Sequence, residues 1–86
     1  MKIKFTNSAI YRYENKFGSI QSIDEDAGIS VIVNLAYYGW DGWQDKEGNF
    51  DEFLKEIDKI SFNKLNTILN DAILEAYDQK FDTKGN

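Results

Sequence analysis

The apolar positions of the chain fall into one short alternating stretch followed by four segments of helical spacing. Lys2-Ile3-Lys4-Phe5-Thr6 alternates polar with apolar side chains, which predicts a short strand or extended arm over 2–6. A lone strand makes no sheet. Thr6, Asn7 and Ser8 can each cap a helix, and Ile10, Tyr13 and Phe17 follow at i, i+3 and i+7 until Gly18 supplies a stop, so a helix is predicted over 7–17. Ser19 to Gly28 reads as a connection, within which Ser22-x-x-Glu25 has the form of a capping box for one short turn of helix.

The next segment fits two templates. Ile29, Val31, Val33 and Leu35 alternate with Ser30, Ile32 and Asn34, the pattern of a buried strand, and the run is rich in β-branched residues. Ile29, Ile32, Val33, Ala36 and Trp40 also lie at i, i+3, i+4, i+7 and i+11, with Val31, Leu35 and Tyr38 on a second apolar stripe. Alternation fails at Ala36-Tyr37-Tyr38 while the helical register continues to Trp40, so a helix over 28–40 is the better reading. Being apolar on most of its circumference, it should be the central and most buried element.

Gly39, Gly42 and Gly48 mark an irregular connection holding both tryptophans. Asn49 can then cap a helix over 50–60 whose stripe is Phe50, Phe53, Leu54, Ile57 and Ile60, with Asp51 and Glu52 at the positive end of its dipole and Lys59 at the other. Ser61 opens the clearest helix, 62–80, where Phe62, Leu65, Ile68, Leu69, Ala72, Ile73, Ala76 and Tyr77 repeat at three and four residues. The expected fold class is mainly α, a single-domain bundle of about four helices over residues 1–86 with a short strand or arm at 2–6 and a polar tail at 82–86.

Composition narrows the chemistry. The chain has 86 residues, no Cys, no His and no Pro. Disulfides, thiolate or imidazole metal sites and nucleophile–His pairs are thereby excluded, leaving carboxylates, hydroxyls and lysine. A chain this short buries only about 60–65% of the surface its unfolded form exposes, which disfavours a deep catalytic cavity. No phosphate-cradling glycine loop is present, and the reading is no enzyme, no metal and no cofactor. The longest apolar stretch, around Val31-Ile32-Val33, is far below the roughly 20 residues of a membrane span, and Met-Lys-Ile-Lys-Phe lacks the apolar core of a signal peptide. A soluble cytoplasmic protein with no membrane partner is expected.

The net charge of −5 conceals an asymmetry. Residues 1–23 carry Lys2, Lys4, Arg12 and Lys16 against Glu14, whereas residues 24–60 carry ten acids against three lysines. Four cations ahead of an acidic middle are a poor footprint for nucleic acid. The acids serve first as a solvated face, but a basic end (Lys2, Lys4, Arg12, Lys16) and an acidic middle (Asp41, Asp45, Asp51, Glu52) also suit head-to-tail self-association between copies. A calcium-loop reading of Asp41 to Asn49 fails on spacing, because Gly48 at the sixth position puts Trp43 first and Leu54 last. Aromatic residues dominate interface hot spots, so Tyr37, Tyr38, Trp40, Trp43 and Phe50 are the candidate partner-binding residues, set against the plainer role of core packing, which Trp40's register favours.

The order of parts is similar to that of the small tail assembly chaperones of long-tailed bacteriophages and related prophages. The residues that carry the resemblance are Ala9-Ile10-Tyr11-Arg12-Tyr13-Glu14-Asn15-Lys16-Phe17-Gly18, like that family's first helix with its Glu-x-x-x-Gly turn, and the Ser19-Ile20 connection. They continue in Leu35-Ala36-Tyr37-Tyr38-Gly39-Trp40, in Phe50 to Asp58 like its acid-led third helix, and in Leu65 to Ala76 as the closing helix. The pattern spans residues 5–77. The resemblance implies a non-enzymatic protein that coats the tape measure protein during tail assembly, recruits tail tube subunits and tends to self-associate. It also implies residence in the cytoplasm of the bacterial host, absence from the mature virion and, often, a longer frameshifted form. This chain departs from the pattern in having no clear hairpin before the first helix and in its very acidic middle.

A second reading from another class is a small acidic inhibitor that mimics nucleic acid and blocks a host nucleic-acid-binding protein. It requires Asp24, Glu25, Asp26, Asp41, Asp45, Glu47, Asp51 and Glu52 on one continuous surface.

Overall fold

A computed structural model describes residues 1–23, 26–40 and 49–85, with side chains described as far as Tyr77. Among these residues the chain is mostly helical and contains no strand. Helix α1 spans Asn7–Phe17, and Thr6 caps it by accepting from the Ala9 N–H at 3.1 Å. Gly18 ends it at φ 101°, ψ −177°, a backbone conformation essentially restricted to glycine, with its N–H donating to the Glu14 carbonyl at 2.9 Å. The Glu14 carboxylate then accepts from the Ile20 N–H at 2.9 Å and draws the following segment back over the end of α1. That segment is a 3-10 turn, Ile20–Ser22, capped by Ser19. The turn expected after Ser22-x-x-Glu25 falls partly on residues outside the described ones.

The ambiguous segment is a helix, α2, Ile29–Gly39. Helix α3, Phe50–Ile57, starts at Asn49, whose side-chain oxygen accepts from the Glu52 N–H at 3.2 Å. It stops three residues short of the predicted boundary, because Asp58, Lys59 and Ile60 form a tighter turn in which Lys59 and Ile60 donate to Glu56 and Ile57. Helix α4 spans Phe62–Gly85, with Ser61 accepting from the Lys64 N–H. Its backbone runs through most of the stretch expected to be a polar tail. Loss of an apolar stripe removes a packing face, but Asp82, Thr83 and Lys84 contain no helix breaker before Gly85.

The expected N-terminal strand is a single antiparallel bridge between Ile3 and Trp40, with the Lys4 N–H donating to the Gly39 carbonyl at 2.7 Å. This arm buries Ile3 and Phe5 against the end of α2. Gly39 makes the approach possible: a Cβ there would lie 2.7 Å from Ile3 Cγ2 and 2.8 Å from Phe5 Cζ. Phe53 and Leu69 are the largest fully buried side chains, in one core with Ala9, Tyr13, Leu35, Ala36, Leu65 and Ala72.

With five buried residues α2 has the most of any helix among the described residues, as expected of the central element, but its burial is uneven. Leu35 to Gly39 are buried, whereas Ile29 and Ser30 are exposed and Val31 to Asn34 are half-buried.

Candidate functional site

Tyr37 and Tyr38 are adjacent on α2, about 100° apart around the helix, and serve two different contacts. The Tyr38 ring meets Tyr13 and Phe17 of α1 edge-on, at centroid distances of 5.8 and 6.1 Å. The Tyr37 ring meets Phe50 and Phe53 of α3 at 5.0 and 5.5 Å, and Trp40 reaches Phe53 at 5.4 Å. The two tyrosines also touch each other at 5.6 Å, so one chain of rings joins α1, α2 and α3. Both tyrosines are only 8% exposed and pack within the fold, while Trp40 is half-buried. Phe50 is 38% exposed at the rim of the cluster. Trp43 lies outside the described residues.

Apolar side chains are exposed elsewhere, among them Tyr11 on α1, Leu74 on α4 and Ile29 at the start of α2. Ile29 is 62% exposed, and each of its β-branched neighbours borders a groove. Val31 faces a groove of about 330 Å³ shared with Tyr13, Phe17 and Asp26. Ile32 and Leu35 border a second, of about 400 Å³, whose far wall is Leu69 and Ile73 of α4 and whose end is Ile20. Ile29 and Val33 border a third, of about 170 Å³, with Ile57, Asp58 and Phe62. Successive helical residues advance by about 100°, so these side chains point to different sides and the helix stands among three grooves as an apolar prong. The sequence marks α2 as apolar on most of its circumference but carries no mark of which part of it is covered.

The basic residues Lys2, Lys4, Arg12 and Lys16 are exposed on the arm and on α1, and the Lys16 ammonium lies 5.8 Å from the Phe17 ring centroid. Asp51 and Glu52 are exposed in the first turn of α3, where they suit the helix dipole. Asp41 and Asp45 lie outside the described residues, so the basic-to-acidic pairing is represented by these two acids alone. Of the eight acids that mimicry would use, Asp26, Asp51 and Glu52 are exposed; the other five lie outside the described residues, as does most of the rejected calcium loop.

Among the described residues no charged or polar side chain is buried, and no three acids come together to hold a metal. Burial pushes the Tyr13 phenol above its ordinary value. No described helix is long and apolar enough to cross a membrane. What the described residues present here is apolar contact area and shape. Comparison with family models, with curated proteins and with solved structures finds no match to this chain.

Proposed function

We propose that this protein is a non-enzymatic tail assembly chaperone of the long-tailed phage type, which holds the tape measure protein and tail tube subunits during tail morphogenesis in the cytoplasm of the host. The observation that carries the reading is the half-covered α2: a helix apolar on most of its circumference, fully buried only from Leu35 to Gly39, keeps exposed and half-buried apolar side chains from Ile29 to Val33 that a partner can cover. The resemblance in part order over residues 5–77 supports it, and so does a surface built from side chains that hold rather than transform. Apolar segments of an assembling partner gain most from such a face, because covering them removes apolar area from water at about 25 cal/mol per Å².

The test is co-expression with a tape measure protein, which this reading expects to be encoded as a long helix-rich chain immediately downstream. The expected result is that the long protein stays in the soluble fraction with the chaperone bound to it. Equal precipitation with and without this chain would overturn the reading.

A further inference from the structure

We infer that the N-terminal arm is an exchangeable strap: it leaves its seat on α2 with the helices intact, and the vacated seat takes the arm of a second copy of this chain. The inference stands apart from the chaperone reading, and no tail protein enters its test. The arm, residues 1–6, lies outside every helix. Among the described residues it meets the body through the bridge from Ile3 to Trp40, the Lys4 N–H on the Gly39 carbonyl, and the buried side chains of Ile3 and Phe5.

Opening leaves the start of α1 in place, because that end is held from within. The Thr6 hydroxyl accepts from the Ala9 N–H, and the Thr6 carbonyl accepts from the Ile10 N–H at 3.0 Å. Thr6 sits at φ −82°, ψ 166°, ordinary extended backbone, so the chain can swing just ahead of it without strain. Helix α2 likewise keeps its own i→i−4 bonds when the arm departs. A short segment laid beside the helices opens locally at a lower cost than global unfolding.

The occupant is identified by what already sits there. A β-carbon on residue 39 would lie 2.7 Å from Ile3 Cγ2 and 2.8 Å from Phe5 Cζ, so the seat is a notch that glycine leaves for Ile-x-Phe. A second copy offers the same residues and the same N–H donor. Every contact of the closed form is then reproduced between copies, and the two forms differ only in the swing at Thr6 and in concentration. Charge acts in the same direction: residues 1–13 hold Lys2, Lys4 and Arg12 and no acid, while the whole chain is at −5, so the arm of one copy meets a negative body in the other.

Within one copy the arm has the millimolar effective concentration of a short connection, so the closed form wins in dilute solution. The test therefore separates arm from seat. In Ile3→Ser/Phe5→Ser the arm loses its two anchors and the seat is open; in Gly39→Ala a methyl group fills the seat and the arm is released. Each full-length variant alone is expected to sediment as a monomer up to about 1 mM, and their equimolar mixture as a one-to-one dimer. Adding Gly39→Ala to the open-seat variant should abolish that dimer. In wild type the Lys4 amide should exchange its hydrogen at least about a hundredfold faster than the Leu69 amide of the core.

A mixture that stays monomeric, a dimer that survives with both seats filled, or a Lys4 amide exchanging no faster than Leu69 would each overturn the inference. So would loss of the helical circular-dichroism spectrum in Ile3→Ser/Phe5→Ser, because the arm would then be part of the fold. Dimerisation of either variant on its own would overturn it as well, since the contact between copies would lie elsewhere.

Discussion

Two glycines show how much a single missing methyl group decides. Gly39 lets the N-terminal arm lie on α2, and a β-carbon there meets the buried side chains of Ile3 and Phe5 at under 3 Å. Neither neighbour is the loose end of an exposed chain, so the arm must move. Alanine would gain up to about 1 kcal/mol of helix propensity, but overpacking costs about 1–3 kcal/mol, and the clash wins. Gly39→Ala is expected to lower the denaturant midpoint by a net loss of about 1–2 kcal/mol. Gly28, with φ −74°, ψ 172° and nothing within 4 Å of where a β-carbon would sit, is the control: Gly28→Ser supplies a missing side-chain cap and should gain a few tenths of a kcal/mol, that is, about 0.3. The tyrosines were the residues least legible from the sequence. Their spacing shows that Tyr37 and Tyr38 face different sides of a helix, but not that both sides are occupied.

Among the elements, α3 depends most on one contact. It has only eight residues, too few to hold a helix by propensity, and Phe53 is its one buried side chain. That ring touches Tyr37, Trp40 and Phe50, so Phe53 ties the helix to the aromatic chain along α2. Phe53→Ala is expected to cost about 3–5 kcal/mol, against a total of about 4–13 kcal/mol for a domain of this size. The readout is loss of helical ellipticity with a much lower denaturant midpoint. By contrast, the exposed Lys59–Glu56 pair at 3.2 Å adds little, because both groups remain in water. Element positions were largely legible: Thr6, Ser61 and Asn49 are caps in the sequence and in the structure, and α1 has the predicted bounds. The end of α4 was not, since a polar run need not stop a helix when no helix breaker precedes Gly85. The uneven burial of α2 was missed for the opposite reason, since an apolar helix shows no polar side to mark where its cover ends.

At the scale of the whole molecule, the buried Tyr13 is expected to make stability fall at alkaline pH. Burial raises its folded pKa above the ordinary 10.0, so below pH 10 the phenol is protonated in both states and contributes no slope. Above pH 10 the unfolded chain loses the proton first, the unfolded state binds fewer protons, and stability drops until the pH passes the folded pKa. Denaturation series from pH 8 to pH 11 should show this decline, and Tyr13→Phe should reduce it; an unchanged slope in the variant would remove Tyr13 as its source. By itself the sequence determined the helices, their caps and the restricted chemistry of a chain without cysteine or histidine, because periodicity, capping and composition act within a few residues of one another. Only the tertiary structure decided which sides of those helices are covered. The partners of Tyr37, the arm lying on Gly39 and the open first half of α2 all come from residues far apart in the chain, and local pattern carries no record of such meetings.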